Sequence, residues 1–243
     1  FSRQSKGIPV INLLQIEKDE KINSVDKINK DDDYKYLLFA TKKGVVKKTL
    51  LTEFEKIRTS GKLCINLNEN DELLDVKKTN GDNIILLGSD NGRMVKFDEN
   101  EIRAMGRTAT GVKGINLEGG NCICCEVVND DSTILLVTEK GYGKRTEVRE
   151  FRQTKRGSKG VLALNITEKN GTLVSAKLVE NDKDVIIMSN AGITIKLPVD
   201  QISLLGRVTQ GLRLISLRDN QTVATISVVD KIEVDSEETS SEE

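Results

Sequence analysis

Short apolar runs of four to six residues, separated by polar turns, recur along the chain, and none of them sustains a helical period. Residues 84–87 (Ile-Ile-Leu-Leu), 134–137 (Ile-Leu-Leu-Val) and 185–188 (Val-Ile-Ile-Met) suit strands covered on both faces. Each is followed by a turn ending in glycine and then by a second strand. The pattern predicts strands at 36–40 and 45–50, then at 73–76, 84–87, 94–97 and 112–117. It continues at 122–128, 134–137, 142–148 and 161–166, then at 173–178, 185–188, 193–197 and 212–217, with a last strand at 222–229. Phe54, Ile102, Phe151 and Ile202 each mark a connection with room for one helical turn, whose apolar residue is expected to plug the neighbouring sheet.

A longer signature runs through these strands. The stretch 92–117 opens on a turn at Gly92, passes Arg103 and Arg107, reaches Gly111 and ends on Ile115-Asn116-Leu117. The turn glycines Gly44, Gly92, Gly141 and Gly192 are spaced by 48, 49 and 51 residues. The signature glycines Gly7, Gly61, Gly111, Gly160 and Gly211 are spaced by 54, 50, 49 and 51. Chance does not keep two such combs in phase. A period of about 50 residues with four short strands per unit predicts an all-β fold, a β-propeller or close relative. The expected organisation is one domain over 1–230, with repeats at about 21–71, 72–121, 122–171 and 172–221. That gives about four complete four-stranded blades, plus partial blades over 1–20 and 222–230. Starting mid-signature at Phe1, the chain reads as a fragment, and the partial units would leave open sheet edges where self-association is expected.

Composition narrows the class. Hydrophobic residues make up 37% of the chain, enough for a core, and aromatics only 3%, with no apolar run long enough to span a bilayer and no signal-peptide pattern. A cytoplasmic protein is the default expectation. The net charge of −1 hides an asymmetry: residues 231–243 carry −5, leaving +4 on residues 1–230. The acidic, Ser-rich end is expected to be a disordered tail, either merely solvated or competing with another polyanion for the basic body.

Cations recur at equivalent places. After the turn glycines come Lys47 and Lys48, Arg93 and Lys96, Lys144 and Arg145, and Lys196. In the following connection come Arg58, then Arg103, Arg107 and Lys113, then Arg149, Arg152, Lys155, Arg156 and Lys159, then Arg207 and Arg213. Equivalent positions on successive blades lie around one rim, so these residues are expected to form a curved basic stripe that suits a bent polyanion. The signature glycines have a simpler reading, a backbone conformation closed to other residues.

Catalytic chemistry finds little support. The chain has no His, and no Ser or Cys stands beside an activating group. Gly141-Tyr-Gly-Lys144 lacks the spacing of a phosphate loop and sits on a hairpin turn. Cys64, Cys122, Cys124 and Cys125 lack zinc-ribbon spacing and fall where other units carry apolar residues, so reduced buried thiols are expected. No catalytic residue, metal or cofactor is expected. A protein-docking propeller is the competing class, but its docking surface should carry aromatic anchors, which are scarce here.

The residues also resemble a known family, the C-terminal domain of the A subunit of bacterial DNA gyrase. The likeness rests on Gly7-Ile-Pro-Val-Ile-Asn-Leu-Leu, Val46-Lys-Lys-Thr with Leu51-Thr-Glu-Phe, and Arg103-Ala-Met-Gly-Arg with Thr110-Gly-Val. Gly141-Tyr-Gly-Lys-Arg-Thr and Ile202-Ser with Gly206-Arg and Thr209-Gln-Gly extend it. The resemblance implies a pinwheel variant of the propeller that wraps double-stranded DNA on its basic rim. It further implies a parent topoisomerase in which A and ATPase B chains form an A2B2 heterotetramer that introduces negative supercoils and associates with the nucleoid. Tyr34, Tyr36 and Tyr142 are not the cleaving tyrosine, which the family carries in another domain. The family's basic heptapeptide, Gln-Arg-Arg-Gly-Gly-Arg-Gly, is absent, and Lys155-Arg-Gly-Ser-Lys-Gly160 is its nearest relative. Either the heptapeptide lies upstream or the parent is the related subunit of topoisomerase IV.

Overall fold

The computed structural model describes residues 7–9, 12, 20, 22, 25, 27–29, 33–55, 60–218 and 220–231. The partial blade expected over 1–20 and the acidic tail beyond residue 231 therefore lie largely or wholly outside the described residues. Among the described residues no helix is long and apolar enough to cross a membrane.

Among the described residues fifteen strands form where alternating and apolar runs were expected. They are β1 (Tyr36–Thr41), β2 (Val45–Leu50), β3 (Leu73–Thr79), β4 (Ile84–Ser89), β5 (Arg93–Asp98), β6 (Val112–Lys113), β7 (Cys122–Val128) and β8 (Thr133–Thr138). The rest are β9 (Tyr142–Glu147), β10 (Val161–Leu162), β11 (Leu173–Val179), β12 (Lys183–Ser189), β13 (Thr194–Pro198), β14 (Leu212–Arg213) and β15 (Val223–Asp230). The last strand of each repeat is shorter than its apolar pattern suggested, two residues rather than six, because only the two residues after the signature glycine pair in ladder register and the next N–H groups converge on the carbonyl of the turn glycine.

The strands make four antiparallel sheets, in the orders β3-β1-β2-β6, β10-β5-β4-β7, β11-β8-β9-β14 and β13-β12-β15. This corrects the equation of one sequence repeat with one blade. Each sheet is a hairpin from one repeat flanked by strands from the next: β4 and β5 take β7 on one side and β10 on the other. Residues 222–230 likewise start no separate unit, since β15 pairs with β12 along its length and joins the fourth sheet. Hydrophobic periodicity finds strands but not their partners, so this exchange left no mark in the pattern.

The hairpins share one turn chemistry. Thr41, Ser89, Thr138 and Ser189 end the first strand, and the carbonyl of each accepts the N–H of the turn glycine at 2.9 to 3.1 Å. Each hydroxyl also bonds the residue after that glycine, as donor or acceptor, so it closes the turn a second time. Register shifts at the same place in every sheet. Gly44, Gly92, Gly141 and Gly192 all have φ between +75 and +80°, a conformation that favours glycine.

The described residues divide into two compact units where one domain was expected. The first comprises residues 1–129 and 151–163 and holds the sheets built on β1–β2 and β4–β5. Its main core joins Leu38, Val46, Ile85, Leu87, Val95 and Phe97 to Ile102, with Phe39, Phe54 and Ile65 in a satellite cluster. The second comprises 130–150 and 164–243, with a core around Leu135, Val137, Val185, Ile187, Val199 and Ile202. Short 3-10 turns at Leu51–Phe54, Glu99–Glu101, Val148–Glu150 and Val199–Gln201 deliver Phe54, Ile102, Phe151 and Ile202 to buried positions, as the sequence suggested.

Candidate nucleic-acid interface

The connections that carry the cations are held by one joint, built three times. After its 3-10 turn the chain runs beside the second hairpin strand of the preceding sheet, and Met105, Thr154 and Leu205 donate their N–H groups to the carbonyls of Lys48, Lys96 and Arg145 at 2.7 to 2.8 Å. The chain then reaches the signature glycine and pairs through β6, β10 or β14 with β2, β5 or β9. The asparagines of the Ile-Asn-Leu signature link one connection to the next. Asn66 N–H donates to Ala109 O at 3.4 Å, Asn116 to Ser158 at 2.9 Å and Asn165 to Thr209 at 3.2 Å.

This joint sorts the expected cations by depth. Lys47, Lys48, Lys96 and Lys144 are buried, not displayed on the surface. An ammonium taken out of water needs oxygen acceptors, and three of these find them on the docked connection or its 3-10 turn. Lys47 Nζ donates to Cys64 O and Arg107 O, and Lys48 Nζ to Glu99 O at 3.0 Å. Lys144 Nζ donates to Gly206 O at 2.6 Å, Arg207 O at 2.7 Å and Thr209 Oγ1 at 3.1 Å. Burial lowers the pKa of Lys47 and pushes that of Lys144 down to about 8, against the opposing pull of Glu150. Sequence reasoning missed this because a lysine after a turn looks the same whether it points to solvent or to a carbonyl.

A second group is half-buried and shared. Arg107 lies 3.7 Å from Glu53, and Arg156 donates Nε to Glu101 O and Nη1 to Lys113 O, each at 3.0 Å. The Glu101 carboxylate accepts the Arg156 N–H at 3.0 Å, and Glu150 accepts the Arg207 N–H at 3.0 Å. Arg93 reaches Gly160 O at 3.4 Å, while Arg145 binds Ile202 O at 2.6 Å and the Asn181 amide oxygen.

The third group is exposed. Arg149 forks onto Glu147, Lys159 pairs with Glu118, and Lys196 pairs with Asp184 at 2.8 Å. Lys113 reaches Asn116 Oδ1 at 3.3 Å. Among the described residues Arg103, Arg152 and Lys155 are exposed with neither hydrogen-bond nor ion-pair partner. Arg58 lies outside the described residues.

In the first unit the exposed and shared cations come together. The connection at 151–160 leans on the preceding one through Gly157 N–H to Gly114 O at 2.6 Å, beside the bonds of Arg156 to Lys113 and Asn116 to Ser158. The connection that carries Arg103, Arg107 and Lys113 thereby meets the one that carries Arg152, Lys155, Arg156 and Lys159, at Lys113–Gly114 against Arg156–Gly157, and neither segment, 102–113 or 151–161, contains an Asp or Glu.

The second unit carries a cationic hollow of about 700 Å³ that the sequence reading did not anticipate beyond Arg213. Lys140, Lys169 and Arg218 line it with Tyr142 and Arg213. Arg213 Nη2 donates to the Tyr142 hydroxyl at 3.0 Å and lowers its pKa, and the Lys169 ammonium sits 5.5 Å from the same ring. A cation directly before the turn glycine, as at Lys140, was the available signal.

The cysteines are free; Cys122, Cys124 and Cys125 are buried and Cys64 is half-buried. Burial pushes the Cys122 thiol up to about 12 and Cys125 well above its usual range. Among the described residues no group of His, Cys, Asp or Glu is placed to hold a metal ion.

Comparisons with known proteins agree with this geometry. A family model described as DNA gyrase C-terminal domain, beta-propeller, matches residues 2–29, 35–80, 83–123, 132–180 and 183–230. The DNA gyrase A subunit of Staphylococcus epidermidis (strain ATCC 12228 / FDA PCI 1200) is 44% identical over 237 residues, covering 95% of this chain and 26% of that protein. Its Staphylococcus aureus (strain NCTC 8325 / PS 47) counterpart is 43% identical over 247 residues, covering 100% and 28%. The chain thus spans about a quarter of the length of these curated relatives. Among solved structures, the C-terminal domain of DNA topoisomerase IV matches with TM-score 0.85 and 28% identity over 92% of this chain and 71% of that one. A DNA gyrase A C-terminal domain matches in fold with TM-score 0.80 at 24% identity, over 93% and 76%. With a family match that follows the repeats from end to end, this chain belongs to the DNA gyrase C-terminal domain family of β-propellers.

Proposed function

We propose that this chain is a non-catalytic module that binds and wraps double-stranded DNA as part of a gyrase A subunit. The observation that carries the reading is the cationic surface of the first unit, where Arg103, Arg152 and Lys155 are exposed with neither hydrogen-bond nor ion-pair partner among the described residues. Phosphates are the counterpart such groups lack. Contacts of this kind fix a duplex without reading its bases, so affinity with weak sequence preference is expected. Bending a duplex costs on the order of several kcal/mol, so many contacts must act together.

From this depth sorting we infer the roles of the individual cations. Arg103, Arg107, Lys113, Arg152, Lys155, Arg156 and Lys159 contact phosphates on the first unit, and Arg207 and Arg213 do so on the second. Arg93, Arg145, Arg149 and Lys196 contribute further charge, while the buried Lys47, Lys48 and Lys144 hold the connections that carry the others. The acidic end competes with DNA for this surface, so its removal tightens binding at low salt. In the parent enzyme the module presents DNA for strand passage by the rest of the A chain together with the ATP-hydrolysing B chain in an A2B2 assembly, in the cytoplasm at the nucleoid. The relatives at 43–44% identity carry the gyrase name, which favours this parent over topoisomerase IV.

The test is to ligate a nicked plasmid with increasing amounts of the chain and read the linking number after its removal. A shift that grows with protein is expected. Ordinary binding with an unchanged topoisomer distribution overturns wrapping.

A further inference from the structure

The hollow of the second unit is walled by four separate segments, each held in place by its backbone or by a neighbour. Lys140 stands on the turn between β8 and β9, where its N–H donates to Asn170 O at 3.2 Å and its ammonium reaches Glu168 O. An ammonium carries three protons, so two remain to be given. Lys169 directly precedes Asn170, whose fully buried amide accepts the Thr167 N–H at 2.7 Å and donates to Asn165 O at 2.9 Å, which pins the loop. Arg218 and Gln221 close the third wall on each other, with Gln221 N–H on Arg218 O at 3.1 Å and Arg218 N–H on Gln221 Oε1 at 3.0 Å. The fourth is the cross-strand pair of Tyr142 on β9 and Arg213 on β14.

The charge gathered there is unbalanced. None of the residues lining the hollow is Asp or Glu. Lys140, Lys169, Arg213 and Arg218 are all exposed, and among the described residues the side chains of Lys169 and Arg218 have neither hydrogen-bond nor ion-pair partner. The matching turn of the first unit is neutralised instead. There Lys43 Nζ bonds Glu69 O at 3.0 Å, as Lys140 bonds Glu168 O, but Asp71 takes the Lys43 N–H at 2.9 Å and Glu72 pairs with Lys42 at 2.6 Å. In the second unit Lys169 stands in place of Asn70, and Asn170 and Gly171 in place of the two acids. The one acid added on the turn, Glu139, is occupied by Thr172 Oγ1 at 3.1 Å and does not line the hollow. Cations that converge without acids leave a positive potential, which concave walls focus.

We propose that this hollow binds a condensed phosphate chain, either inorganic triphosphate or the triphosphate of a nucleotide, with the four cations around its oxygens. The Tyr142 hydroxyl accepts from Arg213 Nη2 at 3.0 Å, which leaves its own proton for a phosphate oxygen. A volume of about 700 Å³ lies in the range of small-molecule sites. Convergence from several sides suits a compact polyanion, whereas a duplex carries its phosphates on a convex backbone and would meet such a hollow only at its rim. Arg213 is shared with the DNA surface proposed above; Lys140, Lys169 and Arg218 belong to this site alone.

The test is calorimetric titration of the chain with inorganic tripolyphosphate at low salt, without DNA, so that its failure leaves the DNA reading untouched. One saturable site per chain is expected. Lys169→Gln and Arg218→Gln, whose side chains donate no hydrogen bond within the described protein, should keep the parent's circular dichroism and each weaken binding at least about fivefold. Lys183→Gln removes the same charge at the far end of β12 from Asn190, roughly 20 Å along the strand, and should bind as the parent does. Orthophosphate should bind at least about tenfold more weakly, since one phosphate cannot engage all four cations. ATP, titrated without magnesium, separates the two sources: affinity at least equal to that of tripolyphosphate assigns the nucleotide, and weaker binding assigns the inorganic chain. Absence of a saturable site overturns the proposal. So do equal losses in Lys183→Gln and the two hollow variants, which would mark diffuse attraction, and so does orthophosphate binding as tightly as tripolyphosphate.

Discussion

Gly111 approaches the carbonyl oxygen of Val46 so closely that a Cβ there would lie 2.5 Å from it, and its φ of +112° lies where L side chains are strained. The same approach recurs at Gly160, where a Cβ would lie 2.1 Å from Met94 O. The signature glycine is thus the point at which a connection is pressed onto the preceding hairpin before β6, β10 or β14 forms. Gly111→Ala and Gly160→Ala should each cost about 2 kcal/mol or more, combining backbone strain with displacement of a paired strand. Gly106→Ala is the control, since it has no positive φ and nothing within 4 Å, and should stay within about 0.5 kcal/mol. Denaturant unfolding of the three variants separates these outcomes.

Lys144 should behave as a structural lysine. Replacing it with Met removes the ammonium from Gly206 O, Arg207 O and Thr209 Oγ1, leaving Gly206 O with the Thr209 donors alone, which should cost about 2 kcal/mol or more near neutral pH. The sign of the pH effect follows from the direction of the shift. Burial lowers the folded pKa from 10.5 to about 8, so the folded state gives up its proton at lower pH than the unfolded chain. The penalty on the ammonium is present in full below pH 8 and is relieved as pH rises toward 10.5. The stability difference between the parent chain and Lys144→Met should therefore widen over that window. Urea titrations at several pH values measure it, and a difference that narrows with rising pH would contradict the assignment.

The fold was legible wherever a local cause operates. Apolar alternation located the strands, the turn glycines located each hairpin, and Phe54, Ile102, Phe151 and Ile202 announced their burial by being apolar in polar connections. Strand partners were not legible, because β4 pairs with β7 and β5 with β10 through contacts between repeats that no local pattern records. The interface was legible in part for the same reason. Arg152 and Lys155 are as exposed as a cation-rich connection suggests, whereas Lys47 and Lys144 are sequestered by oxygens 17 to 65 residues away. Lys140 and Lys169 entered the second unit's hollow through a geometry that spacing alone could not reveal.

The exposed cations of the first unit should dominate the salt dependence of DNA binding. Each phosphate neutralised contributes ~0.9 to the slope of log K against log salt. Replacing Arg103, Arg152 and Lys155 together with Ala should lower the slope by about 2.7, with the melting temperature unchanged because none of the three bonds to the protein. Fluorescence anisotropy with a duplex at several salt concentrations reads the slope. An unchanged slope would remove these residues from the path of the DNA.

Glu101 offers a test in which charge and architecture pull in opposite directions. Its carboxylate accepts the Arg156 N–H at 3.0 Å while its own carbonyl accepts Arg156 Nε, so it anchors the connection that carries Arg152, Lys155, Arg156 and Lys159. If only net charge mattered, any neutral replacement would tighten DNA binding. If the anchored geometry matters, Glu101→Ala should free the Arg156 N–H, cost about 1 to 2 kcal/mol and weaken DNA binding despite the loss of a negative charge. Amide exchange should quicken first over residues 154–158. Glu101→Gln keeps an oxygen acceptor and removes the charge, so it should preserve the connection and bind DNA at least as tightly as the parent chain. Opposite shifts in affinity for the two variants are the expected result, and a tightening in both would show that the connection holds its shape without Glu101.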